Sequence, residues 1–162
     1  MNRIRTIWAA VVNRWHAHPS HRLRDSGDRT DGHHGRCVQL LLLLHPNPDV
    51  ELIRRVAFHD TTETGLGDVS GHAKRQNPEL RAMLRRIESE KAMRLGLPEH
   101  LDHDPWLALV DMLDAWMWAT TRGLDVASDD DWAEMAIDIM SLATSLGVYA
   151  DVIGAMAGER TS

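Results

Sequence analysis

The run Pro105-Trp106-Leu107-Ala108-Leu109-Val110-Asp111-Met112-Leu113-Asp114-Ala115-Trp116-Met117-Trp118 carries the clearest structural pattern in the chain. A proline at the head of a helix is tolerated because the first-turn N–H has no intrahelical acceptor anyway. Behind it, Trp106, Leu109, Val110, Leu113, Trp116 and Met117 recur at three- and four-residue spacing, as one helical face requires. Asp111 falls in the middle of this apolar helix and reads as a buried carboxylate.

The flanking segments repeat the same grammar. C-terminally, Ser128-Asp129-Asp130-Asp131 predicts the cap of a helix over residues 132–146, and a short helix over 148–156 follows. N-terminally, Pro78 opens a helix over 78–95 that Gly96 and Pro98 end. Residues 65–71 hold three glycines and read as a loop, since each glycine costs a helix interior roughly 1 kcal/mol. Asp49 is placed to cap a helix over 50–64, after the break at Pro46-Asn47-Pro48. Asp31 is placed to cap a helix reaching about residue 45, whose leucine run predicts burial on most sides. Ile4, Ile7, Trp8, Val11, Val12 and Trp15 predict a first helix stopped by Pro19, with a polar loop over 20–31. No segment alternates as a strand would, and no internal repeat occurs. The expected fold is all-α, in a single domain over residues 1–162.

Composition narrows the function classes. The chain has 18 Lys+Arg against 24 Asp+Glu, a formal net charge of -6, which argues against a duplex nucleic-acid partner. One cysteine, Cys37, excludes an internal disulfide and a cysteine-rich zinc cage, and beside the leucine run it reads as a small buried side chain. The longest apolar run, 38–44, is far too short to span a bilayer, so no membrane partner and a cytoplasmic location are expected. Ten histidines are a reason to test for metal ligation.

The chemistry concentrates at His59-Asp60, which follows the apolar Val56-Ala57-Phe58. Neighbouring helical side chains point about 100° apart, so both reach one ion only from a core-facing arc. An ionised Asp beside an apolar run is costly unless it is paired or binds a metal. His34 on the preceding helix and Asp111 on the later one complete a mixed N/O donor set suited to Mn, Co, Ni, Fe or Zn. Glu63 stands four residues after His59, on the same helical face, where a carboxylate can orient or deprotonate an attacking water. Lys74-Arg75 returns after the glycine-rich loop as a possible phosphate-holding cation.

Taken in order, Asn13-Arg14-Trp15, His34-Gly35-Arg36-Cys37-Val38, His59-Asp60-Thr61-Thr62-Glu63, Gly67-Asp68, Lys74 and Val110-Asp111 resemble the motifs of HD-domain phosphohydrolases. Within that group the chain is most similar to YfbR-like 5′-deoxynucleotidases and phage dATP triphosphohydrolases. The resemblance covers about residues 13–120. It implies an HD-domain helical bundle in which His34, His59, Asp60 and Asp111 bind a divalent metal (Co, Mn, Zn, Ni, Fe or Mg). It also implies a catalytic role for Glu63 beside Asp60, phosphate contacts from Arg14 and Lys74, packing of Trp15 near the nucleoside, and Asp68 holding the loop or the sugar.

The reaction implied is attack of water on the α-phosphorus of a deoxynucleotide, releasing a deoxynucleoside plus phosphate or triphosphate. A homo-oligomer is implied too, with Met135, Ile139, Leu142, Val148 and Ile153 serving an interface as well as the core. The chain departs from the family at His33, which replaces an acidic residue and leaves His33 and His34 both open as first ligand. The family's His-Ser-x-x-Val pattern favours His34. The segment between Arg14 and His34 is also longer than in such relatives and carries additional His16, His18, His21, Arg22 and Arg24.

Overall fold

The computed structural model describes residues 3–12, 14–16, 23, 26–63, 76–98, 104–122 and 130–157. Among them run seven α-helices and no β-strand, so the all-α expectation is met. The helices are α1 (Arg3–Val11), α2 (Thr30–Leu44), α3 (Val50–Phe58), α4 (Pro78–Leu95), α5 (Pro105–Thr121), α6 (Asp130–Ser145) and α7 (Tyr149–Ala157); a 3-10 turn, His59–Glu63, follows α3. No helix among the described residues is long and apolar enough to cross a membrane.

Helix ends fall where cap chemistry puts them. The Asp49 carboxylate accepts the Leu52 N–H at 2.7 Å, and Asn77 accepts that of Leu80 at 3.0 Å. Asp104 takes two donors, Trp106 N–H at 3.1 Å and Leu107 N–H at 3.2 Å, just ahead of Pro105. Gly96 ends α4 with φ of 57°, a left-handed conformation that a residue with a Cβ adopts only under strain. From there the Leu97 N–H reaches back to the Ala92 carbonyl at 2.9 Å.

Three sequence expectations are corrected. The helix foreseen over 50–64 stops at Phe58 and tightens into the 3-10 turn, because the His59 ring Nδ1–H occupies the Val56 carbonyl at 2.8 Å. The first helix ends at Val11 rather than reaching Trp15. Residues 14–16 instead run antiparallel to 28–30, with the Thr30 N–H on the Arg14 carbonyl at 3.0 Å and the His16 N–H on the Asp28 carbonyl at 3.3 Å. On the apolar face of that helix, Ile4 and Trp8 are exposed. The leucine run of α2 is buried on one side only: Leu41 is fully buried, while Leu42 and Leu43 are exposed.

The chain divides into two compact units, residues 1–35 with 49–102 and residues 36–48 with 103–162. In the first, the 3-10 turn packs against α1, α3 and α4, and Leu52, Val56, Leu84 and Ala92 are buried. In the second, α5, α6 and α7 pack on one another around Leu109, Leu113, Ile139, Ala143 and Val152. Met135, Leu142 and Val148, foreseen as possible interface residues, pack against that cluster. Cys37 is fully buried, its thiol directed at the Val110 carbonyl at 3.7 Å.

The carboxylate buried on α5 is Asp114, 3% exposed, whereas Asp111 is only half-buried. Asp114 accepts two bonds from the Arg36 guanidinium, at 2.7 and 2.9 Å, which offsets its desolvation. Trp116 and Trp118 diverge, as their two-residue spacing requires. The Trp116 indole donates to the Met156 carbonyl at 3.3 Å, while Trp118 lies between the guanidinium groups of Arg36 and Arg122, 4.4 and 4.3 Å from its ring centre.

Truncating Leu113 to Ala removes a fully buried side chain and should cost about 2–5 kcal/mol. Leu43→Ala, at an 81% exposed position, should stay within about 0.5 kcal/mol of the parent. Urea unfolding of the two variants measures both.

Candidate metal centre

The site lies in the first unit and starts from the 3-10 turn. A helical end leaves carbonyls without intrahelical donors, and cationic side chains satisfy them well there. Here Arg14 donates to the Asp60 carbonyl at 2.6 Å, and Lys91 of α4 donates to the Thr62 carbonyl at 3.0 Å. Burial, with help from the positive charge of Arg94, pushes the Lys91 amine below its usual range. Thr61 and Thr62 face inward, nearly excluded from water. The turn is thereby fixed with its two chemically active side chains, His59 and Asp60, directed at the first turns of α2.

Four imidazoles gather around one carboxylate oxygen. From Asp60 Oδ2, His59 Nε2 lies at 3.4 Å, His33 Nε2 at 3.7 Å, His16 Nδ1 at 3.7 Å and His34 Nε2 at 3.8 Å. His33 and His59 approach each other at 3.1 Å between Nε2 atoms. The His16 ring stacks on that of His33, centres 3.7 Å apart and planes at 15°. Burial pushes the His34 imidazole below its ordinary value, against the pull of the Asp60 carboxylate. Burial opposes ionisation of Asp60 as well, but the charge of His59, a polar contact from His34 and the charge of His33 outweigh it and hold the carboxyl well below its usual range.

These residues fit a divalent ion on three grounds. His and carboxylate donors at about 2.0–2.2 Å from a tetrahedral ion stand roughly 3.3–3.6 Å apart, close to the 3.4–3.8 Å spacings around Asp60. The His59 Nδ1–H is committed to the Val56 carbonyl, so in the neutral ring Nε2 carries the lone pair, the tautomer a metal requires. The His34 Nε2 is buried and has no hydrogen-bond partner. Two trios, His34/His59/Asp60 and His16/His33/Asp60, each have donor atoms within 4.8 Å of one another and are able to hold a metal ion.

The sequence-predicted residues distribute as follows. His34, His59 and Asp60 converge, and His33, the alternative to His34, is in the cluster as well, fully buried. Glu63 is not stacked one α-turn above His59, because the intervening residues form a 3-10 turn with three residues per turn. Its carboxylate is instead held by Arg14 at 2.8 Å. Trp15 is half-exposed beneath the Arg29 guanidinium, 3.9 Å from its ring centre. Asp111 belongs to α5 of the second unit. Asp68 and Lys74 lie outside the described residues, as do His18, His21, Arg22 and Arg24. His16 was foreseen only as an additional histidine of a lengthened segment. The signal that identifies it is its spacing of two from Arg14, which on extended backbone puts both side chains on one face.

Compared with protein-family models, with curated proteins and with solved structures, the chain matches none.

Because the folded state depresses the His34 pKa, the unfolded chain takes up this proton first as the pH falls below the ordinary value of 6.5. Asp60 keeps its charge through that window and contributes no proton. Stability of the metal-free protein should therefore fall as the pH drops from 7.5 to 5.5, with a slope from this proton of up to about 1.4 kcal/mol per pH unit. Urea unfolding in EDTA across that range should show the loss, and His34→Gln should flatten it.

Proposed function

We propose that the protein is a metal-dependent deoxynucleotide phosphohydrolase of the cytoplasm. It cleaves at the α-phosphorus to release a deoxynucleoside with phosphate from a monophosphate or with triphosphate from dATP. The observation that carries the reading is the convergence of His34, His59 and Asp60 on one ion-sized centre, beside the Arg14–Glu63 pair. The order of these residues is the order in which the HD phosphohydrolases carry theirs, and that resemblance supplies the substrate class.

A bound divalent ion supplies a Lewis acid for the phosphoryl oxygen and makes an attached water more acidic. The chain's own groups account for the rest. Arg14 keeps a guanidinium beside the reacting phosphate and offsets the charge that develops on its oxygens. Glu63 takes the proton of the attacking water; the P–O5′ bond breaks, and the departing O5′ takes up a proton to become the nucleoside hydroxyl. Glu63 is oriented for this by the same guanidinium.

A second reading, a non-catalytic metal- and nucleotide-binding domain, draws on that pairing too, since a carboxylate tied to Arg14 is a poorer proton acceptor than a free one. The resemblance also leaves open a cyclic-nucleotide or other phosphomonoester hydrolase.

Protein loaded with Mn²⁺ or Co²⁺ should convert at least one member of a panel of dNMPs, dNTPs and cyclic nucleotides to the nucleoside. Chromatography of the products fixes the cleavage position. Asp60→Asn should lose metal and activity together, while Glu63→Gln should keep the metal and lose about 10²–10⁴-fold in kcat. Full activity in Glu63→Gln removes the catalytic assignment, and absence of turnover on the whole panel favours the binding domain.

A further inference from the structure

We propose that the cluster holds two adjacent cations rather than one, the second bound by His16 and His33 and joined to the first through the Asp60 carboxylate. The inference rests on the metal-centre reading of His34, His59 and Asp60 and extends it to two histidines to which that reading gives no role.

The number of donors comes first. Four ring nitrogens stand 3.4–3.8 Å from Asp60 Oδ2. One small ion taking all of them with the carboxylate would be five-coordinate in protein atoms, leaving little room for water or substrate. Two trios pair the nitrogens as His34 with His59 and His16 with His33, each closed by Asp60, and the two positions adjoin where His33 Nε2 comes within 3.1 Å of His59 Nε2. A carboxylate is a common bridge between two ions about 3.5–4 Å apart, and Asp60 is the one residue the trios share.

Local chemistry favours neutral, metal-competent rings at the second position. Two imidazolium rings stacked at 3.7 Å would repel, so the His16/His33 stack favours at least one neutral ring. Both are held by backbone: the His16 N–H bonds to the Asp28 carbonyl, and the His33 N–H to the Arg29 carbonyl in the first turn of α2. Charge then sets the order of binding. Glu63 is neutralised by Arg14, leaving Asp60 as the chief counter-charge for both ions. The second ion should bind more weakly than the first and be strengthened by inorganic phosphate, which supplies the missing negative charge.

The metal-free 162-residue chain is titrated with Co²⁺ with and without inorganic phosphate, followed by calorimetry, cobalt absorption and metal analysis after dialysis. Two ions per chain are expected, the weaker step at least tenfold tighter with phosphate. His16→Gln should leave one ion with the first step unchanged. His16→Phe, which keeps a ring stacked on His33 but removes the donor, should do the same, and circular dichroism checks that both variants fold. With Mn²⁺, the parent should give a spin-coupled paramagnetic spectrum and the variants an isolated-ion spectrum. One ion in the parent, unaffected by either substitution, overturns the second position and leaves the first standing. Two ions in the variants overturn it as well, and no binding by the parent removes both readings.

Discussion

Asp60 sets the terms for the first unit. Its carboxylate oxygen faces four ring nitrogens at 3.4–3.8 Å. Imidazole lone pairs repel the carboxylate oxygen, so N–H protons or a metal ion must lie between the rings and that oxygen. Protons are a costly answer at His34, where burial disfavours the imidazolium. A divalent ion satisfies carboxylate and imidazoles together without charging any ring. The turn that carries Asp60 is held from both sides, by Arg14 and Lys91 on its carbonyls.

The second unit shows the opposite solution to the same problem. Asp114 is more thoroughly excluded from water than Asp60, yet it is fully answered by a two-pronged guanidinium from Arg36. Such a pair answers the negative charge with a positive one already in place. Arg36 also lies over Trp118, so the partner is fixed by packing as well as by charge. Asp114 and Asp60 thus have different prospects: Asp114 is paired with a guanidinium, and Asp60 is surrounded by ring nitrogens that a cation would organise.

What the sequence discloses and what it conceals follow from the range of the interactions. Asp49, Gly96 and Pro105 mark helix ends because caps act over three or four residues, and the structure puts α3, α4 and α5 where those residues indicate. The end of α1 at Val11 depends on pairing between Arg14 and Thr30, which no local pattern encodes. The break after Phe58 depends on a ring nitrogen competing for one carbonyl, visible only once the ring is placed. Asp111 and Asp114 sit three residues apart on one helix, and which is buried depends on Arg36, 78 residues from Asp114. His34, His59 and Asp60 were legible as donors by residue type and spacing. His16 was not, because a helical reading of residues 4–15 hides the extended backbone that aims it at Asp60.

Global and local charge point in different directions here, and the local one governs what the site can take. A net charge of -6 repels a long polyanion, whose binding depends on many phosphates meeting many cations. A single nucleotide samples only the few ångströms around its phosphate. There the chain offers Arg14, the Lys91 amine and four imidazoles against the carboxylates of Asp60 and Glu63. A divalent ion held there would turn that balanced inventory positive. A net negative charge and a site able to hold a cation are therefore compatible: the charge of the whole chain and the charge at the site act over different ranges.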